Sequence, residues 1–158
     1  MATFLQPAIE PLPEKIEPHT ARFKKRGSSL GLTTTATSHL IQQIETGFPF
    51  AALLRLESNT GLDLTTLSNL IGIPERTLAR RKVAGKLSPE ESERLLRIAS
   101  VFEKAVDLFH GDVESAVRWL TNPKKALGYQ QPLTYARTEL GAREVENLIG
   151  RIGHGVFS

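Results

Sequence analysis

Basic side chains that could contact a nucleic acid are concentrated in residues 76–86, RTLARRKVAGK. This stretch holds five Lys or Arg residues and no acid, whereas the whole chain carries 20 Lys and Arg against 17 Asp and Glu. The positive charge is therefore local, and its position matters more than the small net excess. Guanidinium groups grouped in this way can read base edges in a major groove, and neighbouring lysines can contact phosphates.

Two short helical segments joined by a tight turn would position these cations. Asp63 is the expected N-cap of DLTTLSNLIG, and Pro74 opens PERTLARRKVA after the connection I-G-I-P. Gly72 lets the chain reverse, and apolar anchors on both sides would hold the crossing angle that a helix-turn-helix requires. These anchors are Leu67, Leu70, Ile71, Ile73 and Leu78. The pattern predicts a helix-turn-helix over residues 63–84.

The second helix of this motif would present its basic face outward. At about 100° per residue, Arg76 and Arg80 fall nearly opposite the inward-facing Leu78. The residues that we assign to base edges are Arg76, Thr77 and Arg80. The flanking residues that we assign to phosphates are Arg81, Lys82 and Lys86. A solvated basic helix face is the alternative, but the turn, the anchors and the acid-free face together favour DNA binding.

The last eight residues, RIGHGVFS, form a second group that could bind a partner. Arg151 has a planar fork suited to carboxylates or phosphate-binding groups, and Gly153 and Gly155 allow positive φ and close approach to another backbone. Val156 and Phe157 are apolar anchors, and burial of the Phe157 ring in a partner would contribute about 1.5–3 kcal/mol. The residues alone leave two alternatives open, namely a tail that binds a partner and a tail that folds onto its own core.

Patterns of catalysis and metal binding are missing from the sequence. The chain has no Cys, which excludes disulfides, thiolate metal sites and cysteine nucleophiles. Its four histidines lie far apart, without a second histidine or a carboxylate at metal-ligand spacing. There is no nucleophile elbow, P-loop lysine motif or dinucleotide fingerprint. We therefore predict that the protein is not an enzyme and needs no cofactor or metal.

The amino-terminal part reads as an extended, flexible arm over residues 1–35. Four prolines among the first eighteen residues oppose a helix and break any signal peptide, and GSSLGLTTTATS has no periodicity. The basic cluster of this arm could follow the DNA backbone or enter a minor groove. It consists of Arg22, Lys24, Lys25 and Arg26. No apolar stretch is long enough to span a membrane, so the expected location is the cytoplasm.

From Ser38 onward every periodic segment is helical, which predicts an all-α fold. The clearest signal is the capping box SPEE that begins at Ser88, followed by apolar residues at steps of three and four as far as Phe109. Asp112 is the expected N-cap of the next helix. In the last segment Val145 begins an apolar series at offsets of three, four and seven. The expected architecture is two helical regions that meet near the long helix.

The residues from position 116 onward resemble the carboxy-terminal toxin-binding domain of the Xre/MbcA/ParS-type antitoxins. The order W-L, N-P, L-G, P-L, T-x-L-G and I-x-x-G-V-F carries this resemblance over roughly forty residues. The scaffold positions that match are Trp119, Leu120, Pro123 and Leu127. Tyr129 departs from the pattern, because a second glycine is common at this position. The helix-turn-helix ahead of this region resembles the Xre repressor type.

The resemblance implies an antitoxin whose partners are a RES-domain toxin that degrades NAD, operator DNA and a second copy of the chain. Such antitoxins insert a carboxy-terminal segment at the entrance of the toxin active site and repress their own operon. In this chain the blocking segment would be residues 151–158, presented by a helix over residues 140–149. The toxin-binding residues carried over by the resemblance are Arg151, His154, Val156, Phe157 and Ser158.

These inferences predict three parts of the chain: an arm over residues 1–35, a helical DNA-binding and dimerisation region over 36–110, and a toxin-binding domain over 111–158. A different class of function remains open beside the antitoxin. It is a stand-alone transcriptional repressor whose carboxy-terminal domain only dimerises or senses a ligand. A hydrolase with unrecognised residues is the most distant alternative.

Overall fold

Helices provide the regular secondary structure in the computed structural model, which describes residues 23–34 and 36–155. The eight α-helices of this part are α1 (Thr37–Thr46), α2 (Phe50–Thr60), α3 (Leu64–Leu70), α4 (Glu75–Ala84), α5 (Pro89–Leu108), α6 (Val113–Leu120), α7 (Pro132–Tyr135) and α8 (Glu139–Gly153). Two 3₁₀ turns, Ser28–Leu30 and Lys125–Leu127, and two isolated β-bridges accompany them. The prediction of an all-α fold is confirmed.

Side-chain caps fix the starts of several helices. Asp63 accepts a hydrogen bond from the backbone N–H of Thr66 at 2.7 Å, which caps α3. The predicted capping box of α5 is present, with Ser88 Oγ accepting from the N–H of Glu91 at 3.1 Å and Glu91 Oε1 accepting from the N–H of Ser88 at 2.8 Å. Asp112 caps α6 in the same way as Asp63 caps α3. These local signals therefore act as the sequence indicates.

The long helix α5 lies at the centre of the molecule and packs against α1, α2, α6 and α8. Its apolar stripe is fully buried at Leu95, Ile98, Ala99 and Phe102. Burial of such side chains is the main favourable contribution to folding. Since the elements on both sides of α5 use it as a common surface, the two predicted helical regions share one hydrophobic core.

The structure corrects the inner part of the predicted arm. The Phe23 ring lies 5.5 Å from the ring of Phe102 between centroids, and Leu30 is buried. The carboxylate of Glu103 accepts hydrogen bonds from the N–H groups of Gly27 and Ser29 at 3.1 and 2.9 Å. Residues 23–32 are therefore packed against α2 and α5, although the sequence assigned them to an extended arm. Residues 1–22 lie outside the described part of the chain.

Three residues of the predicted basic cluster, Lys24, Lys25 and Arg26, are exposed, and Arg26 also has a contact within the protein. Its Nε donates to Ser100 Oγ at 2.9 Å. Arg22 lies outside the described residues. One cation of the cluster that was assigned to the DNA backbone, Arg26, thus also helps to attach its segment to α5.

Gly141 marks the closest approach between α7 and α8. A Cβ built on Gly141 would lie 1.7 Å from the carbonyl oxygen of Tyr135, far inside any allowed contact. The glycine of the T-x-L-G pattern is therefore required for space. Thr138, the first residue of that pattern, accepts a hydrogen bond from the N–H of Gly141 at 3.0 Å and so starts α8 at the same place.

Within the described residues, no helix combines the length and the apolar character that crossing a bilayer requires.

Candidate functional site

A helix-turn-helix is formed by α3, α4 and the turn between them. Gly72 has a φ of 71°, and the N–H of Ile73 donates to the carbonyl of Ser68 at 2.8 Å, which reverses the chain in four residues. The predicted anchors Leu67, Ile71 and Ile73 are at most 2% exposed. Leu78 is half-buried and packs on the core. The predicted motif is thus present, with its apolar anchors inward.

Helix α4 rests on this base with none of its residues fully buried. Arg76 and Arg80 are exposed, and Thr77 is half-buried between them. Nη2 of Arg80 donates to Oγ1 of Thr77 at 3.3 Å, so these two side chains share one patch. Lys82 and Lys86 are also exposed. A helix that projects in this way has the shape that a major groove accommodates.

Val83 belongs to the same outward face, although the sequence analysis did not select it. Its side chain is 91% exposed, and it follows Arg76 and Arg80 at the spacing of one helix face, about 140° from Leu78. An exposed valine between arginines could contact the methyl group of a thymine. The signal was available in the sequence, as an apolar residue opposite the inward-facing leucine.

Arg81 differs from the other basic residues of α4 because it is directed toward α5. Its Nε donates to Glu91 Oε1 at 2.8 Å, and the two side chains are 31% and 9% exposed. The assignment of Arg81 to a phosphate stays a prediction, and the structure gives its Nε a partner within the protein.

The end of α4 is also fixed to the start of α2 through the backbone. The N–H of Phe50 donates to the carbonyl of Gly85, and the N–H of Leu87 donates to the carbonyl of Phe48, each at 2.9 Å. Gly47 permits this approach, because a Cβ there would lie 2.3 Å from the carbonyl oxygen of Leu87. The basic helix is therefore held at both ends, by the turn after α3 and by this contact.

The predicted blocking segment is only partly a tail. Helix α8 continues through Gly153, which places Arg151 in its last turn and His154 at its C-cap. The sequence predicts that Gly153 and Gly155 can both adopt a positive φ. Gly153 is helical, and only Gly155 of these two has a positive φ, 73°. Val156, Phe157 and Ser158 lie outside the described residues. The helix thus extends four residues beyond its predicted end at residue 149.

Arg151 is half-buried, and its Nε is a buried nitrogen without a hydrogen-bond partner among the described residues. Buried guanidinium nitrogens are normally paired, since leaving one unpaired is unfavourable. His154, by contrast, is exposed. The structure thus places a half-buried cation at the end of α8.

Comparison with known proteins relates both halves of the chain to the same kind of protein. Residues 39–100 match the model of the antitoxin Xre-like helix-turn-helix domain, and residues 104–155 match that of the antitoxin Xre/MbcA/ParS C-terminal toxin-binding domain. A protein named antitoxin Xre from Yersinia enterocolitica is 39% identical over 130 residues, which cover 82% of this chain and 88% of the relative. The chain belongs to the Xre antitoxin family.

Two further members of the Xre antitoxin family carry the same name. The relative from Photorhabdus laumondii is 34% identical over 131 residues, covering 82% of this chain and 88% of its own length. The relative from Pseudomonas putida is 34% identical over 84 residues, or 52% of each chain. The resemblance drawn from the sequence is therefore confirmed. The two matched domains are a DNA-binding and a toxin-binding domain, and the family is not one of enzymes.

The position at which this Xre antitoxin departs from the family pattern has a strained backbone. Gly128 and Tyr129 follow one another with φ of 64° and 65°, in a turn closed by a hydrogen bond from the N–H of Tyr129 to the carbonyl of Lys124 at 2.9 Å. The Lys124 ammonium in turn lies 5.2 Å from the ring centroid of Trp119, which is half-buried against the core. Two consecutive left-handed residues explain why a second glycine suits this turn.

We expect that Tyr129→Gly raises the free energy of unfolding by about 0.5–1 kcal/mol. The left-handed conformation is unfavourable for tyrosine, and the added freedom of glycine in the unfolded chain offsets part of the gain. The tyrosine side chain is 70% exposed, so little packing is lost. Thermal unfolding followed by circular dichroism should show a small rise in melting temperature. The matched variant Gly128→Ala, where a Cβ meets nothing within 4 Å, should show a fall. A destabilised Tyr129→Gly would contradict this reading.

Proposed function

We propose that this chain is the antitoxin of a type II toxin–antitoxin pair, which neutralises a RES-domain toxin and represses its own operon. The observation that carries this proposal is that a helix-turn-helix and a toxin-binding domain are both attached to the long helix α5. The basic helix-turn-helix is joined to α5 by the ion pair of Arg81 with Glu91, and the domain that matches a toxin-binding model packs against α5 through α6 and α8. A stand-alone repressor would need only the first module and a means to dimerise. The protein would act in the cytoplasm as a homodimer, without enzymatic activity, cofactor or metal.

In the DNA-binding half, α4 would enter the major groove of the operator. Arg76, Thr77 and Arg80 would read base edges, and Lys82 and Lys86 would contact phosphates. The exposure of α4 supports this arrangement, because the described residues leave its basic face uncovered. The dimer would place two such helices on a symmetric operator.

In the toxin-binding half, residues 151–158 would occlude the entrance of the toxin active site. Arg151 supports this proposal because it lies in the last turn of α8 and carries a planar guanidinium suited to a carboxylate of the toxin. His154 is exposed beside it. Val156, Phe157 and Ser158 would then extend from the rigid end of α8 into the toxin. The RES class of the toxin is the expectation that the Xre family brings.

The experiment that tests the proposal is co-expression with the reading frame adjacent to the gene, followed by purification through a tag on one partner. We expect a stable complex, and we expect host growth to be restored when both proteins are made. A protein that purifies alone and leaves a toxic neighbour active would favour the stand-alone repressor. Measurement of cellular NAD in the same strains would test the chemical class of the toxin.

The DNA-binding half predicts a specific loss when Arg80 is replaced. Arg80→Ala should weaken binding to a duplex from the promoter of its own gene by about 1–3 kcal/mol, because a contact to a base edge is lost. Fluorescence anisotropy titrations against this duplex and a scrambled duplex measure both affinity and discrimination. Arg143→Ala is the matched control, since Arg143 is an exposed arginine on α8 paired with Glu139. Equal losses on both duplexes would contradict the assignment of Arg80 to a base edge.

A further inference from the structure

The ion pair between Arg81 and Glu91 joins the candidate DNA-reading helix to the central helix. Arg81 lies in the last turn of α4, and its Nε is 2.8 Å from Glu91 Oε1. Among the ion pairs of the described residues, this is the only one that α4 makes. The other cations of α4 project into solvent, whereas this one faces the protein. The contact therefore belongs to the structure of the free protein.

Glu91 is a fixed acceptor because it also belongs to the capping box of α5. The same Oε1 accepts from the N–H of Ser88 at 2.8 Å, so the carboxylate cannot turn away without breaking the cap. Burial of Glu91 disfavours its charge, but the hydrogen bonds from Ser88 and Arg81 and the charge of Arg81 outweigh this effect and lower the pKa of Glu91. The carboxylate is thus ionised at neutral pH, in one orientation, and ready to hold Arg81.

Helix α4 depends on such a contact more than its neighbours do. It has no fully buried residue, and its apolar support is the half-buried Leu78. The backbone hydrogen bonds at Gly85 and Leu87 fix the chain after the helix but not the rotation of the helix about its own axis. A side-chain contact at Arg81, three residues after Leu78, fixes this rotation. Rotation decides whether Arg76 and Arg80 face the groove.

We propose that Arg81 is a positioning residue for DNA recognition, which acts by holding α4 against Glu91 and not by contacting a phosphate. This inference rests on the proposed DNA binding and revises the assignment of Arg81 made from its sequence position. Glu91 becomes part of the same function, although it carries the charge that DNA repels. Loss of either partner would release the orientation of α4, so the two residues act as one unit.

The test compares Arg81→Gln, Glu91→Gln and the double variant in anisotropy titrations at several salt concentrations, with the duplex from the promoter. We expect each single variant to weaken binding by roughly 5–50-fold, and the double variant to be no weaker than the single variants. The slope of log affinity against log salt should stay unchanged. Lys82→Gln is the matched control for a phosphate contact, and it should reduce the magnitude of this slope by about 0.9.

Glu91→Gln is the decisive variant, because simple electrostatics predicts the opposite result. Removal of a negative charge from a DNA-binding protein strengthens binding, whereas loss of a positioning contact weakens it. Glutamine keeps an acceptor for the N–H of Ser88, so α5 should still fold, but it removes the negative charge that strengthens the bond to Arg81. An unchanged or tighter affinity for Glu91→Gln, or a slope reduced by about 0.9 in Arg81→Gln, would overturn the proposal.

Hydrogen exchange in the free protein separates this inference from the proposed function. The amide groups of α4 should exchange several-fold faster in Arg81→Gln and Glu91→Gln than in the wild type, while those of α5 after its first turn keep their protection. Unchanged exchange in α4 would overturn the positioning role. A wild-type protein that binds no duplex would instead remove the proposed DNA binding, and exchange would still report whether the pair holds α4.

Discussion

Gly141→Ala is expected to lower the free energy of unfolding by about 3 kcal/mol and the melting temperature by roughly 6–12 °C. The added Cβ would lie 1.7 Å from the carbonyl oxygen and 2.8 Å from the carbonyl carbon of Tyr135. Both are backbone atoms, so no change of rotamer relieves the overlap. Helix α8 would have to move away from α7, which disturbs the Thr138 cap and the burial of Ala142 and Val145.

Gly150→Ala is the matched control for this prediction, since Gly150 lies in the same helix and a Cβ there meets nothing within 4 Å. Alanine is the better helix former, so this variant should be as stable as the wild type or more stable by about 0.5–1 kcal/mol. Both melting curves can be recorded by circular dichroism. A Gly141→Ala protein that melts with the wild type would show that α7 and α8 do not approach as closely as described.

Removal of residues 156–158 is expected to abolish neutralisation of the toxin while operator binding and melting temperature stay unchanged. The structure sets the cut after Gly155, because α8 ends at Gly153 and Ile152 packs against the core. A longer deletion from Arg151 would damage the fold and confuse the result. If the removed residues carry the blocking contact, growth rescue should be lost while α4 remains intact.

Phe157→Ala is the single-residue version of this test. Loss of a buried ring of this size should weaken binding to the toxin by about 1.5–3 kcal/mol, which is roughly 10–150-fold. Titration of the purified toxin with each variant, and growth of cells that express both proteins, measure the two effects. Arg143→Ala is the control, since Arg143 is exposed on α8 and lies outside the proposed blocking segment. Full rescue of growth by the protein that ends at Gly155 would contradict the blocking model. It would indicate that the helical surface of the domain inhibits the toxin.

The helical framework could be predicted because its signals are local. Asp63, Ser88 and Asp112 each cap a helix within three residues of themselves, and the buried faces repeat at the helical period. The start of a helix is predicted less accurately where no side chain caps it. Helix α1 begins at Thr37, one residue before the periodic pattern starts at Ser38, and no side-chain hydrogen bond caps it at Ala36.

The sequence could not predict contacts that depend on partners far along the chain. Nothing around Gly27 shows that Glu103 will accept its N–H, so the segment reads as a polar, aperiodic loop. The sequence likewise does not show where the fold places Glu91, and the direction of the Arg81 side chain depends on that position. The candidate DNA-binding face follows from helical geometry, which is why Arg76 and Arg80 are exposed where the periodicity places them.

The hydrogen bonds of Glu103 also determine when the amino-terminal segment can fold during synthesis. Glu103 follows Gly27 by 76 residues, so a ribosome that adds 5–20 residues per second needs about 4–15 s to make the acceptor after the donor. During this interval the segment can contact α2, where Asn59 Nδ2 donates to the carbonyl of Ser29, but the N–H groups of Gly27 and Ser29 lack their acceptor. Each newly made molecule therefore passes through a brief period in which the segment is incompletely fixed, which ends when α5 leaves the exit tunnel and Glu103 accepts from Gly27 and Ser29.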